Sequence, residues 1–243
     1  MSKKPIIDLK KAEAIEGELL RTYGGLIDEV RRDHVIKRKD GGGHHDLFHT
    51  VRVARTALCI ALNEDVARLA WIAGMLHNTD RLFGKKETPK KLRARLKRVR
   101  LNNKEKTAII KAVLTHDQPN DPKDDEVATT LKDADRIADA GAMHLIRGSQ
   151  WFSGLQVCLL EGPGRYSGAT FPKARAVTDI IHWFFEWESD PRFCLRLPKA
   201  RQIGKRGFDF LRSALKNIEE QQRAIGMYPL PKAVKKIIGD YTN

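Results

Sequence analysis

Two histidines, His49 and His77, lie in consecutive helical stretches of HDLFHTVRVARTALCIALNEDVARLAWIAGMLHNTDR, residues 45–81, and each sits on an apolar stripe. From His49 the stripe runs through Val53, Ala57 and Ile60. In the second stretch Ala73, Leu76 and His77 share a face, with Leu69 and Ala70 a turn earlier. Helical residues at spacings of three and four point the same way. Both imidazoles therefore belong at the edge of a helix–helix seam, where facing histidines make a ready pair of metal ligands. The plainer reading of such a histidine is a satisfied core residue. The polar neighbours Arg52, Asn78, Asp80 and Arg81 set a metal or phosphate site beside that reading on equal terms.

Other residues of the same chemical kind lie further along. His116-Asp117 closes a helix whose core is Ile109, Ile110, Val113 and Leu114. Asp135 and Asp139 stand one turn apart in a helix predicted from about Asp125 to Gly148, flanked by Leu131, Ile137, Ala142 and Leu145. Carboxylates beside an apolar flank need a cation, a partner or water. Between Lys85 and Lys106 eleven cations stand against Glu87 and Glu105. That run is either a solvated face or a field that draws in anions. Few aromatics interrupt it, so stacking on single-stranded bases has no support.

The elements that must position these groups read as helices throughout. Asp8 caps a helix through about Asp33, weakened in the middle by Gly24-Gly25. A glycine-rich loop then delivers His44, His45 and Asp46. Asn63 caps the second helix of the central pair, Thr88-Pro89 opens the basic helix, and Asn103 opens the next. Residues 148–172, with Gly148, Gly154, Gly162, Pro163, Gly164, Gly168 and Pro172, predict a long irregular connection and a candidate lid. An aromatic helix with Trp183, Phe184, Phe185 and Trp187 reads as core. A long helix through KARQIGKRGFDFLRSALKNIEEQQ comes last.

Composition sets the bounds. The chain has 243 residues, enough for a substantial core, and long 3.6-period segments without strand–turn alternation predict one all-α domain. Residues 1–42 form its N-terminal helix and loop, and 223–243 a peripheral basic tail. The formal net charge of +14 predicts attraction to phosphorylated molecules or polyanions. Cys59, Cys158 and Cys194 form no CxxC pair, which suits a reducing compartment. The N-terminus has no apolar signal core, and no apolar run reaches the length of a membrane span. The expectation is a soluble cytoplasmic protein without a membrane partner.

The motifs together resemble the HD superfamily of metal-dependent phosphohydrolases. GHHDLFHTVRVARTA is similar to a G-H-D-x-x-H-x-x-R-V-x-x-x-A opening. KDADRIADAGAMHLIRG is similar to a D-A-D-R-L-D-A-x-G-A-x-G-x-x-R segment, and KARQIGKRGFDFL to a late helix ending at Arg206. The resemblance covers about Gly43 to Gln222. It implies a helical-bundle fold and one divalent ion, whether Mn, Mg, Fe, Ni or Zn, held by His49, His77, residue 78 and Asp135. Asp135 is preferred to Asp133 because the ligand position is the second Asp of DAD. The sequence departs from the pattern at residue 78, where the defining doublet is His-Asn. An amide keeps a carbonyl oxygen for a cation but removes a full charge, so binding should be weaker and a bound water more acidic.

Two functional readings follow. The first is phosphoester hydrolysis on a nucleotide or related substrate. Asp80 or His116 would handle the proton, and Arg52, Arg81 and Arg136 would hold the phosphate through paired guanidinium contacts. The alternative is a non-catalytic module of the same fold, binding a phosphorylated ligand, or nucleic acid through residues 85–106. For each Arg an ordinary ion pair, and for His116 a helix-end contact with carbonyls, stands beside the functional role.

Overall fold

The computed structural model describes residues 7–38, 46–138, 140–151 and 177–234, and among these every regular element is a helix. The chain divides into two compact units, Met1–Asp139 with Pro191–Ile203, and Ala140–Asp190 with Gly204–Asn243.

The first unit begins with α1 (Leu9–Thr22), started by Asp8, whose carboxylate accepts from Lys11 N at 2.7 Å. The single helix expected through Asp33 is in fact two. α1 ends on Tyr23, and α2 (Gly24–Arg38) starts on the glycine pair. Two consecutive residues of poor helix propensity lower the cost of a break at that point.

α3 (Leu47–Ile60) and α4 (Glu64–Leu76) form the centre of this unit. Asp46 starts α3 by accepting from His49 N, and Asn63 starts α4 by accepting from Val66 N. Each cap satisfies a donor that the first turn would leave orphaned. The two helices pack on each other and bury small residues, Ala54 and Ala57 on α3 and Ala67, Ala70, Ala73 and Gly74 on α4. At Gly74 the backbones touch. A Cβ there would lie 2.7 Å from Ala54 Cα and 2.9 Å from Ala54 N, so the position admits only glycine at this spacing.

α5 (Thr79–Phe83) follows α4 through His77 and Asn78, and α6 (Thr88–Leu96) has Pro89 in its first turn. α7 (Asn103–Thr115) starts in a reciprocal capping box between Asn102 and Glu105.

α8 (Glu126–Ala138) packs against α3, α4 and α7 with Val127, Ala128, Leu131, Ala134 and Ile137 buried. Its buried Lys132 is neutralised by Asp124 at 2.8 Å and also donates to Pro119 O. Asp133 accepts from Arg196 N (2.8 Å) and Leu197 N (2.7 Å), just ahead of the start of α12 (Pro198–Ala224). It thus fixes the chain's entry into that helix. The helix expected to run on to Gly148 stops at Ala138. Gly141, with φ +96°, then turns the chain into α9 (Ala142–Trp151). A left-handed residue cannot continue an α-helix, and glycine takes that conformation without a Cβ penalty.

In the second unit Ile180, Ile181 and Phe184 of α10 (Val177–Phe184) pack on Leu211 and Leu215 of α12. Leu145, Trp183, Phe185 and Trp187 lie around them, the last on the short α11 (Glu186–Ser189). The aromatic run is core. Of the expected lid, residues 148–151 complete α9 and 152–172 lie outside the described residues, as do His44, His45, Asp139 and the end of the basic tail. Among the described residues no helix is long and apolar enough to cross a membrane.

Candidate metal centre

Three elements converge at one point. α3 brings His49 from its first turn, the end of α4 brings His77, and α8 brings Asp135. His49 Nε2 lies 3.2 Å from His77 Nε2 and 3.2 Å from Asp135 Oδ1, and His77 Nε2 lies 3.7 Å from the same oxygen. The centre of that triangle is about 2.0 Å from each atom, the bond length of a small divalent ion to nitrogen or oxygen. These three residues could hold a metal ion.

The protonation pattern suits that role. His77 Nδ1 is 2.6 Å from Gly74 O, a carbonyl that can only accept, so the ring proton sits on Nδ1 and Nε2 presents a lone pair. Burial pushes His77 from its ordinary 6.5 down to about 3, against the opposing pull of Asp135, so the ring is neutral at physiological pH. Burial alone would raise the Asp135 carboxyl. The hydrogen bond to His49 and the imidazoles of His77, His49 and His116 outweigh it and hold Asp135 well below the usual range.

Asn78 is almost wholly buried, and its Nδ2 donates to Thr50 Oγ1 at 2.9 Å. Its Oδ1 is buried and accepts no hydrogen bond. A buried carbonyl oxygen without a donor is costly unless something electropositive sits beside it. This orphaned oxygen, one residue from His77, is the independent observation that the donor set fits a cation.

The remaining predicted residues are placed as follows. His116 is buried, its ring edge-on to His77 with centroids 5.4 Å apart, and its Nδ1 donates to Val113 O at 2.7 Å. In the neutral ring Nε2 is then an acceptor. Asp80 stands outside the convergent set. Its Oδ1 accepts from Arg81 N, and its Oδ2 is 3.6 Å from Arg81 Nε. Arg81 also lies 3.7 Å from Asp117, and its side chain is 40 % exposed. Arg52 donates to the carbonyl of Ala138. Arg136 is buried, donating to Asn120 Oδ1 (2.7 Å) and Gln118 O (3.3 Å), and burial lowers its pKa. Asp133, the rival of Asp135, is the helix-entry residue described above.

The basic segment divides. Arg95 is buried and pairs with Asp33 and Glu29, with a further hydrogen bond to Thr79 at 3.2 Å. It therefore belongs to the packing of α6 on α2 and α5 rather than to an exposed charge field. Two residues escaped the sequence reading altogether, His34 and Thr50, both buried behind Asn78. Thr50 follows a candidate ligand directly, which is a signal. His34 has none, because its partner lies on another helix.

No protein-family model matches the chain, and no curated protein matches it. Among solved structures, a protein from Lactobacillus plantarum superposes with a TM-score of 0.61 at 16% identity, covering 90% of this chain and 99% of its own. Bacillus subtilis YpgQ in complex with ADP superposes with a TM-score of 0.59 at 15% identity, covering 84% of this chain and 96% of its own. At these identities the likeness shows a shared all-helical fold and nothing finer.

Proposed function

We propose that the chain is an HD-type, metal-dependent phosphohydrolase acting on a nucleotide or a related phosphoester. The observation that carries this reading is the convergence of His49, His77 and Asp135, with a buried amide carbonyl that accepts no hydrogen bond on the residue after His77. The fold-mate with bound ADP supports a nucleotide as the class of ligand.

His49, His77, Asp135 and the Asn78 carbonyl would hold the ion. Such an ion supplies Lewis acidity toward a phosphoryl oxygen and acidifies an attacking water. The protein's own groups do the rest. With its Nδ1 proton given to Val113 O, His116 presents Nε2 as the acceptor and would take the proton released as water attacks phosphorus. Asp80 is the second candidate base. Arg81, the most exposed of the three arginines, orients phosphate oxygens, while Arg52 and Arg136 can do so only by leaving their present carbonyl and amide partners. The exposed cations of residues 85–106 raise the local concentration of an anionic substrate.

Asn78 favours a second reading, in which the same site binds a nucleotide without turnover. Elemental analysis of the purified protein, with a phosphate-release assay on nucleotides with and without Mn2+, separates the two. Metal at one ion per chain, with release abolished in His49→Ala, supports hydrolysis. Metal and nucleotide binding without release supports the module. Absence of metal after reconstitution rejects both.

A further inference from the structure

Behind Asn78 a chain of hydrogen bonds leads away from the ligand cluster, and its polarity can be worked out from its far end. His34 Nδ1 lies 2.8 Å from Val30 O. A carbonyl only accepts, so Nδ1 carries the proton. Burial keeps the imidazole neutral, so Nε2 is bare and can only accept. The group facing it is Thr50 Oγ1 at 3.0 Å, which must donate. The hydroxyl has one proton. Its longer 3.2 Å approach to Asp46 O, an oxygen already served by Thr50 N, loses that competition. Oγ1 is left with lone pairs only toward residue 78, 2.9 Å away, so residue 78 must present a donor.

An amide meets this demand in one orientation. Its nitrogen faces Thr50 and its carbonyl faces away, leaving the buried, unpartnered Oδ1. A carboxylate would set acceptor against acceptor. We infer that His34 is a positioning residue which, through Thr50, requires an amide at residue 78 and turns its carbonyl toward the metal position. Asn78 is on this view a fitted neutral ligand, not an eroded aspartate. The inference rests on the metal reading given above.

Calorimetric titration of the purified chain with Mn2+ tests it, with far-UV circular dichroism as the check on folding. Thr50→Val, nearly isosteric, interrupts the relay and should weaken Mn2+ binding about tenfold, the lower end of the effect of losing a group that orients a ligand. His34→Leu should match it. His34→Gln, which keeps an acceptor for the Thr50 hydroxyl, should stay within about threefold of the parent. In an Asn78→Ala background Thr50→Val should cost no more than about twofold, because the ligand it positions is gone. In the metal-free parent, nitrogen NMR should show His34 protonated on Nδ1. A proton on Nε2, or Thr50→Val and His34→Leu proteins that bind Mn2+ like the parent, overturns the assignment alone. A folded parent that binds no Mn2+ overturns the metal reading and this assignment with it.

Discussion

Replacing Asn78 by Asp should produce two opposite changes in one protein. The added carboxylate supplies the charge that an amide lacks. A gain of ten- to a hundredfold in Mn2+ affinity, about 1.4–2.8 kcal/mol, is modest for one more anionic ligand. The same carboxylate cannot donate to Thr50. Either two acceptors face each other at the 2.9 Å contact, or the hydroxyl turns toward residue 78 and leaves His34 Nε2 buried without a donor. A buried polar group left unsatisfied costs about 1–3 kcal/mol. For a chain of this size each kcal/mol lowers Tm by roughly 2–4 °C, so the metal-free variant should melt about 2–12 °C below the parent. Excess Mn2+ should recover part of that loss, since ligand at a hundred times Kd adds about 2.7 kcal/mol. Thermal melts in EDTA and in Mn2+, beside a calorimetric titration, read both terms. A metal-free Asn78→Asp protein as stable as the parent, or one with unchanged affinity, would refute the reasoning.

Further substitutions divide the proton and phosphate roles. Asp80→Asn and His116→Gln should each leave Mn2+ affinity within about threefold, and the one that serves as base should lose phosphate release by about 10²–10⁴-fold; a loss in neither removes both from the mechanism. Lowering pH should destabilise the metal-free protein between about 6.5 and 3: His77 titrates near 3 when folded and near 6.5 when unfolded, so the unfolded chain takes up the proton first. Asp135, held below the ordinary carboxyl range, adds to the loss at the acid end, and a Tm that is flat across this window in EDTA contradicts the assigned neutral His77. Replacing Lys90, Lys91 and Arg93 by Gln should slow capture of anionic substrate and flatten its salt dependence without changing saturated turnover. Arg95→Gln should instead lower stability, by more than the ~1 kcal/mol of an exposed pair and less than the ~3–5 kcal/mol of a fully buried one, as chemical denaturation would show.

The elements and the two histidines were readable because both are written in local periodicity. His49 and His77 stood on apolar stripes, and the caps Asp8 and Asn63 stood where the helices begin. Choosing Asp135 over Asp133 needed the motif, since both sit in one helix and neither spacing nor charge separates them. Gly24-Gly25 marked the first helix break as a weak point, whereas the break before Gly141 went unseen, because glycine is tolerated inside a helix as well as at its end. Only the left-handed conformation of Gly141, a tertiary outcome, decides between those uses. Arg95 read as one cation of a charged run and Arg136 as a phosphate holder, because a guanidinium's partner is set by packing. Asp33 is far from Arg95 in sequence, and Asn120 reaches Arg136 across a loop. His34 was silent for the same reason.

The contact between Gly74 and Ala54 bears on which ions the centre can accept. Gly74 stands one turn before His77, and Ala54 just over one turn after His49, so the two ring nitrogens hang from helices whose backbones already touch. Their separation is set by van der Waals contact and cannot be closed further. Nor does it widen cheaply, because the flanking alanines are fully buried. Such a clamp works as a gauge of ionic radius. Its opening of about 2.0 Å suits Mg2+, Mn2+, Fe2+, Ni2+ or Zn2+, whereas Ca2+ prefers oxygens at about 2.3–2.6 Å and more of them. Calcium, however abundant, should be turned away by two helices that cannot part without exposing the alanines buried on them.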